Sequence, residues 1–126
     1  MLSGAFSSKV TISILFFIIT LVVGFVLHKK GKPYNSLIFN LHKLASVAMV
    51  ILLVLELSGF IRVTEVNALF IICLMLSGFF TLVLFLTGAM MSLDKLQEIM
   101  RIIHRASSVL LLLTLPVLIY FICVRQ

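Results

Sequence analysis

Four apolar runs separated by short polar breaks make up most of the chain. The first, residues 10–27, contains no charged side chain and is long enough to span a bilayer. An uncharged leader and Lys9 precede it, and His28-Lys29-Lys30-Gly31-Lys32-Pro33 follows, a stop-transfer cluster with two helix breakers. No small-x-small cleavage site follows this run, so it reads as a retained helix and not as a signal peptide. The second run carries His42 and Lys43 in its first turns and Glu56 near its far end; Gly59, Arg62 and Glu65 mark the break after it. The third, 66–93, has no charge and exceeds the ~20 residues a span needs, so it must tilt or begin with an interfacial turn. Asp94 to Glu98 reads as a loop, a helical cap or a short interfacial helix. The fourth run holds Pro116, which is expected to kink it. The predicted helices are 10–28, 37–61, 66–93 and 102–124. Short connections between them predict an all-α membrane protein, an antiparallel up-down-up-down four-helix bundle forming one domain over 1–126.

Composition agrees. Of 126 residues 63% are hydrophobic and 11% charged, with a mean hydropathy of +1.32, more apolar surface than a water-soluble domain of this size could hide. The unbroken runs exclude the alternating pattern of a membrane β-barrel. The net charge of +6 sits in short loops and is no nucleic-acid footprint. Lys29, Lys30, Lys32, Lys43, Lys95, Arg101 and Arg105 lie at the first and third connections; Lys9, Arg62 and Arg125 lie at the other side. This excess predicts a multi-pass protein of the cell (inner or plasma) membrane, with those two connections cytoplasmic and both termini outside. Cys73 and Cys123 lie within apolar runs, and neither belongs to a CxxC or CxxCH motif. The chain has no HExxH, phosphate loop, nucleotide fingerprint or Ser-His-Asp set, which leaves no conventional soluble active site.

Polar residues at the edge of lipid are costly without a partner, and the chain repeats one such setting. Leu41-His42-Lys43-Leu44-Ala45-Ser46-Val47 is echoed by Ile103-His104-Arg105-Ala106-Ser107-Ser108-Val109. An offset of 62 overlays His42 on His104, Lys43 on Arg105, Ser46 on Ser108 and Val47 on Val109, as in two similar hairpins; the same register places Met90 on His28. Two imidazoles in matching settings point to one shared partner, read here as a haem iron. Neutral imidazole is a good axial ligand, and two give a six-coordinate, electron-transferring iron. Three and four residues past each histidine, on its own face, stand Ala45 and Ser46, and Ser107 and Ser108, small enough for a macrocycle to approach. Met49, Leu53 and Leu111 lie deeper. Lys43 and Arg105 could meet haem propionates, or snorkel to lipid head groups; the small residues could equally serve close helix packing. His28, in the Lys-rich turn, and Met90 are reserve ligands.

This constellation resembles the four-helix membrane-embedded b-type cytochromes, the cytochrome b561-like and related small haem-anchor proteins, in its bundle and in His42-Lys43-x-x-Ser46 and His104-Arg105-x-Ser107-Ser108. The resemblance implies a membrane oxidoreductase or electron-transfer protein with haem b held by histidines of different helices. Dihaem members carry histidines toward both faces, and here all three fall at the cytoplasmic end. The expectation is therefore one haem b near the cytoplasmic side, ligated by His42 and His104, exchanging electrons with a redox partner protein or larger complex and with quinone.

Glu56 stands fourteen residues after His42, on roughly the same face and about 21 Å along the helix. A carboxylate at that depth is expected to be protonated or paired, which makes it a candidate proton site, or an interfacial group paired with Arg62 or a hydroxyl. Two alternatives to the cytochrome follow: a small proton-coupled transporter using Glu56, and a cofactor-free membrane anchor or assembly subunit.

Overall fold

A computed structural model describes residues 8–94 and 96–125, without the side chains of Ser8 and Arg125. The described residues form four helices, α1 (Ser8–Lys30), α2 (Ser36–Val63), α3 (Ala68–Ser92) and α4 (Gln97–Arg125), and no strand. All four are long and apolar enough to cross a membrane. They also turn large apolar side chains outward, among them Leu15, Val22 and Phe25 of α1 and Leu113 and Tyr120 of α4. Water would not tolerate so apolar an exterior, whereas lipid matches it, and the chain is a multi-pass membrane protein. At 1.5 Å per residue the 28 residues of α2 and 29 of α4 span roughly 42–44 Å. That exceeds a ~30 Å hydrocarbon layer, so their polar first turns can reach the interface.

The chain divides into two compact units at Thr64 and Glu65, each a helical hairpin. In the first, α1 stops because Gly31 adopts φ +65 and its N–H bonds the Leu27 carbonyl at 3.1 Å, a left-handed cap that a side chain would resist. Asn35 then starts α2, its side chain accepting from the amides of Leu37 at 3.0 Å and Ile38 at 3.3 Å. In the second hairpin, Asn67 caps α3 by accepting from the Phe70 amide at 2.9 Å. The following turn passes through Asp94 and Leu96 in the left-handed region. Gln97 donates from Nε2 to Asp94 at 2.7 Å and to the Met91 carbonyl at 3.1 Å, tying this turn down. Helix α4 consequently begins five residues earlier than the apolar pattern indicates. Glu98 sits in its first turn, where a negative charge favours the helix dipole. The helix continues through Pro116.

The buried positions reveal a repeat that the sequence shows only in part. In α2 they are Ala45, Met49, Leu53, Glu56 and Phe60; in α4 they are Ser107, Leu111, Leu115, Leu118 and Ile122. Each residue of the second set lies 62 positions after its counterpart. Steps of four, four, three and four keep one stripe facing inward, the spacing that packs one helix against another. In the second hairpin the Ser77 hydroxyl donates to Thr114 at 3.1 Å, and Phe70 meets Phe121 edge-on at 6.1 Å.

Candidate functional site

Each histidine heads the buried stripe of its helix: His42 precedes Ala45 by three residues, and His104 precedes Ser107 by three. Both are half-buried. In the first hairpin the His42 ring lies against α1, where a Cβ added at Gly24 would come within 2.9 Å of its Cε1. Only a glycine leaves room for the ring there. Its Nδ1 is 3.0 Å from the Thr20 carbonyl oxygen. A carbonyl only accepts, so Nδ1 carries the hydrogen and donates it, and the acceptor lone pair falls on Nε2.

The second hairpin repeats the arrangement with a different acceptor. His104 Nδ1 is 2.8 Å from Thr87 Oγ1, and the Thr87 hydroxyl donates to the Val83 carbonyl at 2.7 Å. With its hydrogen on that carbonyl, the Thr87 oxygen can accept from His104 Nδ1, which would leave the lone pair on Nε2 as in the first hairpin. Gly88 is the neighbouring glycine, but a Cβ there would sit 3.7 Å from His104 Cε1, an ordinary contact. Gly88 follows Gly24 by 64 residues, two more than the repeat, so the first helices match less closely than the second. Metal-bound histidines are commonly held this way, the outer ring N–H donated to an oxygen that fixes the tautomer and raises ligand basicity.

The small residues after each histidine divide their roles. Ala45 and Ser107 are buried in their stripes, whereas Ser46 and Ser108 are half-buried. Ser46 donates to the Lys43 carbonyl and Ser108 to the Arg105 carbonyl, both at 2.8 Å. Lys43 is exposed and turns back toward the connection, its Nζ 4.2 Å from the centre of the Phe39 ring; Arg105 is exposed. His28 is exposed in the last turn of α1, and Met90 is half-buried near the end of α3. Glu56 lies on the His42 stripe at 8% exposure, and its counterpart in the repeat is Leu118 at 1%.

Sequence reasoning passed over Thr20 and Thr87. A threonine close before a glycine in the first helix of each hairpin, Thr20–Gly24 and Thr87–Gly88, was the available signal. Its meaning depends on the level at which the hairpin closes. Among the described residues no group of three or more histidine, cysteine or acidic side chains gathers to hold a bare metal ion. A haem iron, with four ligands from its own macrocycle, needs only two donors from protein. No protein-family model, no curated protein and no solved structure matches this chain.

Proposed function

We propose that this protein is a membrane-embedded b-type cytochrome that relays electrons, in which His42 and His104 would hold one haem b. The observation that carries the reading is the matched pair of imidazoles, each at the head of an equivalent stripe with Nδ1–H donated inside its own hairpin. This donor set fits a haem iron: two half-buried imidazoles, each with Nδ1 bonded within its own hairpin, one of them against a glycine that any side chain would crowd. When bound, the haem would supply one-electron chemistry. The chain's part would be to present His42 and His104, to fix the orientation of each ring through Thr20 and Thr87, and to offer Lys43 and Arg105 as cations for propionates. The cationic excess at the first and third connections supports a cytoplasmic placement of this end, with both termini outside. Electron exchange there with quinone or a protein partner is part of the reading.

The test is an absorption spectrum of the purified full chain, oxidised and dithionite-reduced. The expected result is a Soret band that shifts on reduction, with haem retention lost in His42→Ala and in His104→Ala. A colourless protein from haem-replete cells, or variants that retain haem as the parent does, would overturn it. One observation favours a second reading. Glu56 occupies a buried position where the other hairpin carries leucine, as a proton-coupled transporter would require of its carboxylate. Loss of transport in Glu56→Gln of a haem-free protein would identify that case, and a chain stable only within a larger complex would identify an anchor subunit.

A further inference from the structure

The connection of the first hairpin gathers cations on a platform of aromatic rings. Lys32 Nζ lies 5.8 Å from the Tyr34 ring centre; Tyr34 stacks on Phe39 at 5.7 Å with 7° between planes; Phe39 in turn carries Lys43 Nζ at 4.2 Å. One turn before the end of α1, Phe25 carries Lys29 Nζ at 5.2 Å. Three ammonium groups are thus held at ring faces around one turn, which restricts side chains that would otherwise sample widely in solvent.

At this end of the first hairpin the sequence supplies charge of one sign. No aspartate or glutamate occurs before Glu56, so Lys29, Lys30, Lys32 and Lys43 share this end of the hairpin with no acidic side chain of its own sequence. The second hairpin differs, since Asp94 and Glu98 stand among Lys95, Arg101 and Arg105 at its connection. The amides of Leu37 and Ile38 at the start of α2 are already taken by Asn35, which leaves anion recognition to the lysines. Immediately beside the cations the surface becomes apolar and open: Leu37 is 77% exposed and Leu44 70%, with Leu41 and Phe25 exposed near them.

Fixed cations at a membrane-water boundary, flanked by exposed aliphatic side chains, match a phosphate group joined to acyl chains. We infer that the α1–α2 connection is a binding site for the head group of an anionic phospholipid, its phosphate met by Lys29, Lys32 and Lys43 and its acyl chains lying along the apolar side chains beside them. The inference does not rest on the haem reading; Lys43 figures in both, and the test therefore substitutes Lys29 and Lys32. Each lysine near an anionic surface contributes roughly five-fold in affinity.

Native mass spectrometry of the purified full chain in detergent tests it, with phosphatidylglycerol, phosphatidylcholine or water-soluble glycerophosphate added at matched concentrations. The expected result is preferential retention of phosphatidylglycerol. Lys29→Gln/Lys32→Gln should reduce that retention by roughly ten-fold or more, while Lys95→Gln/Arg101→Gln leaves it within about two-fold. Tyr34→Leu, which keeps every charge but removes the ring under Lys32, should give part of the loss. Working in detergent separates binding from any effect of the substitutions on insertion. Equal retention of the two lipids, a preference that follows the second hairpin's cations, or glycerophosphate held as tightly as the lipid would each overturn the inference.

Discussion

Replacing Gly24 by alanine should loosen the first hairpin, whereas the same change at Gly88 should not. The new Cβ would stand 2.9 Å from His42 Cε1, about half an ångström inside ordinary carbon contact. The ring must retreat from α1, and Nδ1 already lies 3.0 Å from the Thr20 carbonyl oxygen, so retreat takes it to the limit of hydrogen-bond reach. Losing that bond costs about 1 kcal/mol, and overpacking adds about 1–3 kcal/mol where neighbours cannot relax. Against this, alanine gains at most about 1 kcal/mol over glycine within a helix, and less in lipid than in water. The balance for Gly24→Ala is a loss of about 1–4 kcal/mol. At Gly88 the Cβ meets His104 Cε1 at 3.7 Å, no bond is disturbed, and the helix preference alone remains. Gly88→Ala should therefore be neutral or stabilising by up to about 1 kcal/mol. The assay is SDS titration of each variant in mixed micelles, followed by far-ultraviolet circular dichroism, with haem retained per protein read from the Soret band in parallel. Equal shifts for the two variants, or a Gly24→Ala protein as stable and as well loaded as the parent, would refute the argument that His42 is wedged against α1.

Thr87→Val removes the acceptor of His104 Nδ1–H while keeping side-chain volume. On the proposed cytochrome reading it should weaken haem binding about 10- to 100-fold and raise the midpoint potential in a redox titration, because a less basic imidazole would stabilise the oxidised iron less, and Thr87→Ser should restore both. In a Cys73→Ala/Cys123→Ala background, a membrane-impermeant maleimide applied to intact cells should label Val63→Cys but not Ser36→Cys, and the reverse pattern would invert the topology.

The amino-acid sequence by itself determined that the chain enters a membrane, that it does so as four helices, and roughly where each begins and ends. Those properties follow from the length of apolar runs and the residues that interrupt them, because lipid obliges every spanning segment to satisfy its backbone internally. It also determined the His42 and His104 echo, which is a matter of spacing. The early start of α4 escaped it, because Gln97 folding onto Asp94 and Met91 is a contact made by one turn's particular geometry. Only the tertiary structure decided which face of each apolar helix is inward, since a helix that is hydrophobic all round carries no pattern to mark its packed side. From that choice came the full 62-residue repeat of buried positions, the singular place of Glu56 within it, and the oxygens of Thr20 and Thr87 that orient the two rings. These oxygens lie 22 and 17 residues from the histidines they serve, a separation that folding bridges and that local sequence does not record.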